Sequence, residues 1–311
     1  MKVSDLINLQ PQRKPESIAF LEKRIVHPGF KSALKNINMI HGTRGFVPRG
    51  MMFIGETGVG KTTILEYYRE LICTKNGLDI KPVRGKYPVL LIRLQADSGK
   101  RSFLFNLCVE LGITPHLRET VNDLERRAIT LLKNREVELV LLDEFHHLAS
   151  RNGKKNLDSL GDLLKNLMDL TNIPFVLAGT LAAQTVLDNH PELQRRFAAS
   201  TQLFNLSLDD VESSEQFRRV LGACQHNSGM KSIKLNTDEM LERFLLASRG
   251  RIGIITAIIE TAINMSDSSD GITMKDLKFA FEFCRADRFN PKCNPFEASI
   301  QIVKRELGRA K

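Results

Sequence analysis

The sequence predicts an α/β fold: a five-stranded parallel sheet covered by helices on both faces, followed by a small all-helical unit. Three observations carry this prediction. Short apolar runs alternate with amphipathic stretches from about residue 26 to 206. One of those runs leads directly into a glycine-rich phosphate loop. After about residue 207 the strand pattern stops and helical periodicity takes over.

The strand candidates are Met51–Ile54, Val89–Leu94, Leu139–Leu142, Phe175–Ala178 and Gln202–Leu206. Each is short, apolar and bounded by turn or polar residues, as strands buried on both faces are. Between them the spacing predicts helices over Ser102–Leu111, Val121–Asn134 and Leu157–Thr171. In the last, Leu157, Leu160, Leu163, Leu164, Leu167 and Leu170 form one apolar stripe. Ser213–Gln225, Thr237–Ser248, Ile252–Met265 and Thr273–Arg285 read as the helices of the second unit. Thr237 and Thr273 suit its N-caps, and Gly229, Gly250 and Gly271 fall in its connections. The expected organisation is an N-terminal arm over 1–25, an α/β core over 26–206, a helical lid over 207–285 and a loosely ordered tail over 286–311.

Residues 55–62 read GETGVGKT, a complete GxxxxGK[ST] loop between an apolar strand and a helix. Gly55, Gly58 and Gly60 let the backbone N–H groups of the loop, with Glu56, Thr57 and Val59, turn inward around phosphate oxygens. The helix opening at Lys61, Thr62 and Thr63 adds the positive end of its dipole. Lys61 is expected to reach the β- and γ-phosphates, and the Thr62 hydroxyl to ligate Mg²⁺. The expected ligands are therefore ATP and Mg²⁺, and the fold class is that of a P-loop NTPase.

The run Leu139-Val-Leu-Leu-Asp143-Glu144 places an apolar strand ending in two carboxylates 82 residues after Lys61. Asp143 is expected in the Mg²⁺ shell, and Glu144 is expected to polarise the water that attacks the γ-phosphate. There is no NKxD guanine-reading element, which argues against a GTPase. His146 and His147 follow at once, but their spacing is not that of a zinc HExxH and a polar-network role is expected. The strand Phe175-Val-Leu-Ala-Gly-Thr180 ends in a hydroxyl that either orients the attacking water or caps the following helix. Arg195 and Arg196 either form a solvated helix end or supply an arginine finger to a neighbouring copy, with Arg196 the first candidate.

The ordered set GETGVGKT, LLDEFHHL, FVLAGT and LQRRF, followed by a helical lid, resembles AAA+ ATPases. More narrowly, it is similar to the TniB/TnsC regulators of Tn7-like bacterial DNA transposition. Asn294-Pro295-Phe296 resembles a segment near the C-terminus of such proteins. The resemblance covers about residues 20–297. It implies an ATPase that forms a homo-oligomeric ring or helical filament on duplex target DNA and disassembles on hydrolysis. It also implies partnership with a transposase and a TniQ-like target selector. One departure concerns the sensor-2 arginine of many AAA+ lids: its position falls on Gly253, with Arg249 and Arg251 nearby. A replication initiator or helicase loader is the alternative, expected to carry a winged helix for which the tail is too short. A scaffold ATPase that binds no DNA is the third reading.

A net charge of +9 and a pI near 9.4 favour a polyanionic partner. Two basic loops suit phosphate contact. One carries Lys100, Arg101 and Ser102 at a helix start; the other carries Arg151, Lys154 and Lys155 after the strand ending in Asp143. The resemblance implies that both loops face DNA, and the alternative is a solvated charged surface. Neither offers base-reading chemistry, so backbone binding with little sequence preference is expected. Trp is absent and aromatics make up 6% of residues, which leaves little for base stacking. Five scattered cysteines, no apolar leader and no long apolar run predict a cytoplasmic protein with no membrane partner.

Overall fold

A computed structural model describes residues 13–82, 84–95, 99–148, 154–188, 191–266, 271–284 and 291–309. The chain divides into two compact units. One spans Gly29–Phe204; the other joins the N-terminal residues up to Pro28 with everything from Asn205 onward.

Helix α1 (Pro15–Glu22) belongs with the helical unit, and α2 (Pro28–His41) leads into the α/β unit. There the strands are β1 (Gly50–Gly55), β2 (Val89–Arg93), β3 (Leu139–Asp143), β4 (Phe175–Gly179) and β5 (Ala199–Leu203). They form one parallel sheet in the order β2-β3-β4-β1-β5. The helices between them are α3 (Lys61–Lys75), α4 (Lys100–Glu110), α5 (Val121–Asn134), α6 (Lys154–Thr171), α7 (Gln184–Asp188) and α8 (Pro191–Arg196).

Side-chain alternation along the strands assembles a separate core on each face of the sheet. Met51 and Phe53, Leu139 and Leu141, and Val176 and Ala178 join Phe30, Ile37, Ile40, Ile64 and Tyr68 from α2 and α3. The intervening Met52 and Ile54, Val140 and Leu142, and Phe175 and Leu177 join Phe103, Leu107, Leu124, Leu132 and Leu164 from α4, α5 and α6. The sheet is thus covered on both faces, as the continuous apolar runs predict. Strand β5 differs: the expected Gln202–Leu206 is observed as Ala199–Leu203. It pairs only with β1 at the sheet edge, with Thr201 and Leu203 buried and Ser200 and Gln202 exposed. A half-exposed edge strand alternates and so lacks the continuous apolar run sought in the sequence.

The helical unit comprises α9 (Val211–Ser228), α10 (Asp238–Ser248), α11 (Ile252–Met265), α12 (Met274–Phe283) and α13 (Ile300–Glu306). Its core contains Leu221, Phe244, Ile255, Ile258, Ile259 and Leu277. Two expectations of loose order are corrected here. The stretch expected to be an arm contains α1, whose Phe20 is buried in this same core. Asn264 on α11 anchors it, accepting from the Lys14 backbone N–H at 3.2 Å and donating to Ser17 Oγ at 3.0 Å. In the tail, Phe296 meets Phe244 edge-on with ring centroids 5.1 Å apart. The buried Arg243 guanidinium also donates to the carbonyls of Pro295 and Ala298. Among the described residues, no helix is long and apolar enough to cross a membrane.

Candidate nucleotide site

The phosphate loop joins β1 to α3 at the C-terminal edge of the sheet, where parallel α/β sheets place ligands. Gly58 and Gly60 have φ of +85° and +102°, a region that favours glycine. At Gly55 the requirement is space, since a Cβ there would lie 2.7 Å from the Leu203 carbonyl oxygen and 2.9 Å from Val59 Cγ2. Lys61 is buried, and its Nζ donates to the carbonyl oxygens of Gly55 at 2.8 Å and Glu56 at 2.9 Å. Those two bonds account for two of its three N–H donors. Burial pushes the Lys61 ammonium below the usual lysine range, while Glu144, Asp143 and Glu56 pull it back toward the charged form.

Asp143 ends β3 fully buried, and its Oδ2 accepts from the Thr62 hydroxyl at 2.7 Å. Two hard oxygens this close match the edge of an octahedral Mg²⁺ shell, about 3 Å for bonds of roughly 2.1 Å. Thr62 and Asp143 therefore fit the ion expected of them. Arg93, the last residue of β2 and register partner of Asp143, places Nε 3.7 Å from Asp143 Oδ2 and a terminal nitrogen 3.6 Å from Glu66 Oε1. Sequence reading passed over this arginine, although its place at the end of a strand candidate was a signal.

Glu144 follows in the left-handed region, with φ +60°. Its N–H donates to Asp143 Oδ1 at 2.9 Å, and its carbonyl accepts from the His147 N–H at 3.0 Å. The carboxylate Oε2 lies 3.3 Å from His146 Nδ1. Glu144, His146 and His147 bring one ligand atom each to within 4.8 Å of one another, the one such group of potential metal ligands among the described residues. The sequence leads one to expect Glu144 to act on water and the two histidines to form a polar network, and an ion held by all three would compete with both expectations.

Strand β4 lies between β1 and β3 in the sheet, which carries Thr180 to the edge between the phosphate loop and Asp143. Thr180 stands at the N-cap of a short 3₁₀ turn, but its side chain makes no capping hydrogen bond. Arg195 and Arg196 close α8; Arg195 is exposed, while Arg196 forms an ion pair with Asp169 of α6 at 2.5 Å. Asp169 was not singled out from the sequence, because this pairing joins two separate helices.

The basic loops are less free than their composition suggests. Lys100 Nζ is 3.1 Å from Glu125 Oε2, and the Arg101 guanidinium donates to the carbonyls of Leu117 and Glu119. Ser102 Oγ donates to the Gly99 carbonyl at 2.9 Å. Arg151 lies outside the described residues; Lys154 and Lys155 open α6, and their side chains are likewise outside the description. Arg249 and Arg251 flank Gly250 in the helical unit, with Arg249 ending α10 at φ +52°.

A phosphate loop, an Asp-Glu strand end and a polar strand end between them, on a sheet of order β2-β3-β4-β1-β5, define an AAA+ P-loop ATPase. Solved structures of the same fold include the ORC1 protein of Aeropyrum pernix in complex with DNA, 17% identical with a TM-score of 0.61, covering 88% of this chain and 70% of that one. The ORC2 protein of the same organism, in ADPNP–ADP complexes, is 16% identical with a TM-score of 0.60, covering 86% of this chain and 71% of that one. Cdc6p from Pyrobaculum aerophilum is 13% identical with a TM-score of 0.63, covering 94% and 85%. Comparison with curated proteins gives no match. The family described as bacterial TniB protein matches residues 19–205, and the chain belongs to that family.

Proposed function

We propose that this chain is an ATP-hydrolysing transposition regulator that assembles on duplex DNA. In this reading ATP lies at the joint between neighbouring copies. Lys61 binds the β- and γ-phosphates, Thr62 and Asp143 hold Mg²⁺, Glu144 activates water and Thr180 orients it. Arg196 or Arg195 of the next copy completes the site. The observation carrying the proposal is the 2.7 Å Thr62–Asp143 contact beside Glu144, which unites motifs about eighty residues apart at one sheet edge.

The ion supplies charge neutralisation at the phosphates when bound; the chain's own groups do the rest. Lys61 must exchange loop carbonyls for phosphate oxygens, and Arg196 must exchange Asp169 for a neighbour's γ-phosphate. The new phosphate contacts must outweigh the bonds given up; the Lys61 exchange then favours ATP loading, the Arg196 exchange favours assembly, and loss of the γ-phosphate removes both gains. The +9 charge supports a DNA partner, and the TniB family supports transposition, with a transposase and a TniQ-like selector as protein partners. The likeness to ORC and Cdc6 proteins keeps a replication-initiator role as the second reading.

Duplex binding measured with ATP, ADP and a non-hydrolysable analogue at two salt concentrations tests the proposal. Tighter, salt-sensitive binding in the triphosphate states supports it, and equal affinity in all states contradicts it. Replacing both Lys100 and Arg101 with Ala is expected to weaken binding and flatten the salt slope by about one unit for each phosphate no longer neutralised. An unaltered slope places the DNA surface elsewhere.

A further inference from the structure

His146 is placed above only in a polar network, and three observations converge on a more definite role for it. Its Nδ1 lies 3.3 Å from Glu144 Oε2, yet it is buried without a hydrogen bond. Glu144 occupies the left-handed backbone region, so its carboxylate direction depends on a turn that few non-glycine residues adopt. On its other side, His146 packs against the end of β4. A Cβ added at Gly179 would lie 3.1 Å from the His146 backbone nitrogen and 3.5 Å from Nδ1, and the next residue is Thr180.

Burial holds the imidazole below the usual histidine range despite the pull of Glu144. A neutral ring carries one proton, and an Nδ1–H facing Glu144 can donate to a carboxylate oxygen. Catalytic hydrogen bonds are often long or misaligned before substrate binds and tighten in the complex. We infer that His146 is the positioning residue for Glu144: its Nδ1–H donates to Oε2 as the site tightens on ATP. Through its packing on Gly179, that bond follows the position of the strand end carrying Thr180. This rests on Glu144 acting as the base, as proposed above.

The test is steady-state ATP hydrolysis, ATP affinity and thermal melting of full-length variants. His146→Leu keeps bulk without a donor, and kcat is expected to fall about tenfold or more, as misplacing a catalytic group does. KM and ATP affinity should stay within about twofold. His146→Asn returns an amide N–H near the Nδ1 position and should recover most of the loss. In a Glu144→Gln background, His146→Leu should remove nothing further. If His146→Leu does not fold, His146→Gln, whose longer side chain carries its amide away from the Nδ1 position, should produce the same selective loss of kcat.

A near-wild-type kcat in His146→Leu overturns the inference. So does equal loss in the Leu and Asn variants with lowered melting, which marks packing alone. Wild-type turnover that a transition-metal chelator abolishes in excess Mg²⁺, and that His147→Ala abolishes as well, would overturn the inference in favour of a transition-metal site. Unchanged turnover in Glu144→Gln alone would overturn the general-base reading itself, so the two failures are distinguishable.

Discussion

Lys61 is held by two opposing influences: burial strips water from its ammonium, while loop carbonyls and three nearby carboxylates keep the charge in place. A buried cation so held is ready to meet a phosphate. Glu144→Gln keeps shape and removes the proposed base, so ATP binding should persist while kcat falls by about 10²-fold or more. A turnover assay beside an ATP-binding isotherm checks this. Two histidines outside the site, the buried His27 and the partly buried His41, carry a second prediction. Burial pushes His27 down to about 4 and His41 down to about 4, against an ordinary value of 6.5, with Arg44 adding to the effect on His41. His41 also faces Tyr68 and Glu138, but Arg44 takes the same Glu138 carboxylate. The unfolded chain therefore takes up protons near pH 6.5 that the folded chain refuses until about pH 4. Stability is full above pH 6.5 and falls toward pH 4, by at most about 1.4 kcal/mol per pH unit for each histidine. Thermal melts across this range should decline less in His27→Asn and His41→Asn than in the parent; parallel curves would contradict the assignment. Lys61, Thr62, Asp143 and Glu144 were legible because their chemistry sits in local strand–loop–helix patterns. Arg93, Asp169 and the Glu144–His146 approach were not, because they arise from neighbouring strands, separate helices and a left-handed turn.

At the scale of elements, the buried strands and capped helices were the legible part. Val121–Asn134 and Ile252–Met265 fall where periodicity places them, and Thr237 and Thr273 cap their helices as their residue type suggests. Thr273 forms a reciprocal capping box with Asp276, so Thr273→Ala should cost about 1 kcal/mol. Ile258, fully buried in the helical unit, should cost about 2–5 kcal/mol as Ala. Denaturant titration ranks the two, and a larger loss at the cap would contradict this packing account. Less legible were α1 and the segment around Phe296. Each adds few apolar residues to the helical core, and periodicity detects stripes rather than single anchors. The edge strand β5 is expected three residues late for a related reason: only one of its faces is buried.

For the whole molecule, the central claim is a nucleotide site completed by another copy of the chain. Family membership and the AAA+ fold establish the class of the chain, and the proposed sharing of the site rests on its own residues. Lys61, Thr62, Asp143 and Glu144 gather at one sheet edge, while Arg195 and Arg196 end a different helix, with Arg196 paired to Asp169. The phosphate loop is readable from eight residues, whereas the two arginines read equally as a solvated helix end or as a finger for a neighbouring copy, and local sequence does not choose between them. The most direct measurement mixes two inactive variants. Glu144→Gln keeps both arginines but lacks the base, and the Arg195→Ala, Arg196→Ala double variant keeps the base but lacks the finger. ATPase activity should reappear in the mixture well above the sum of its components. A mixture that only adds the two residual activities would contradict a site shared between copies.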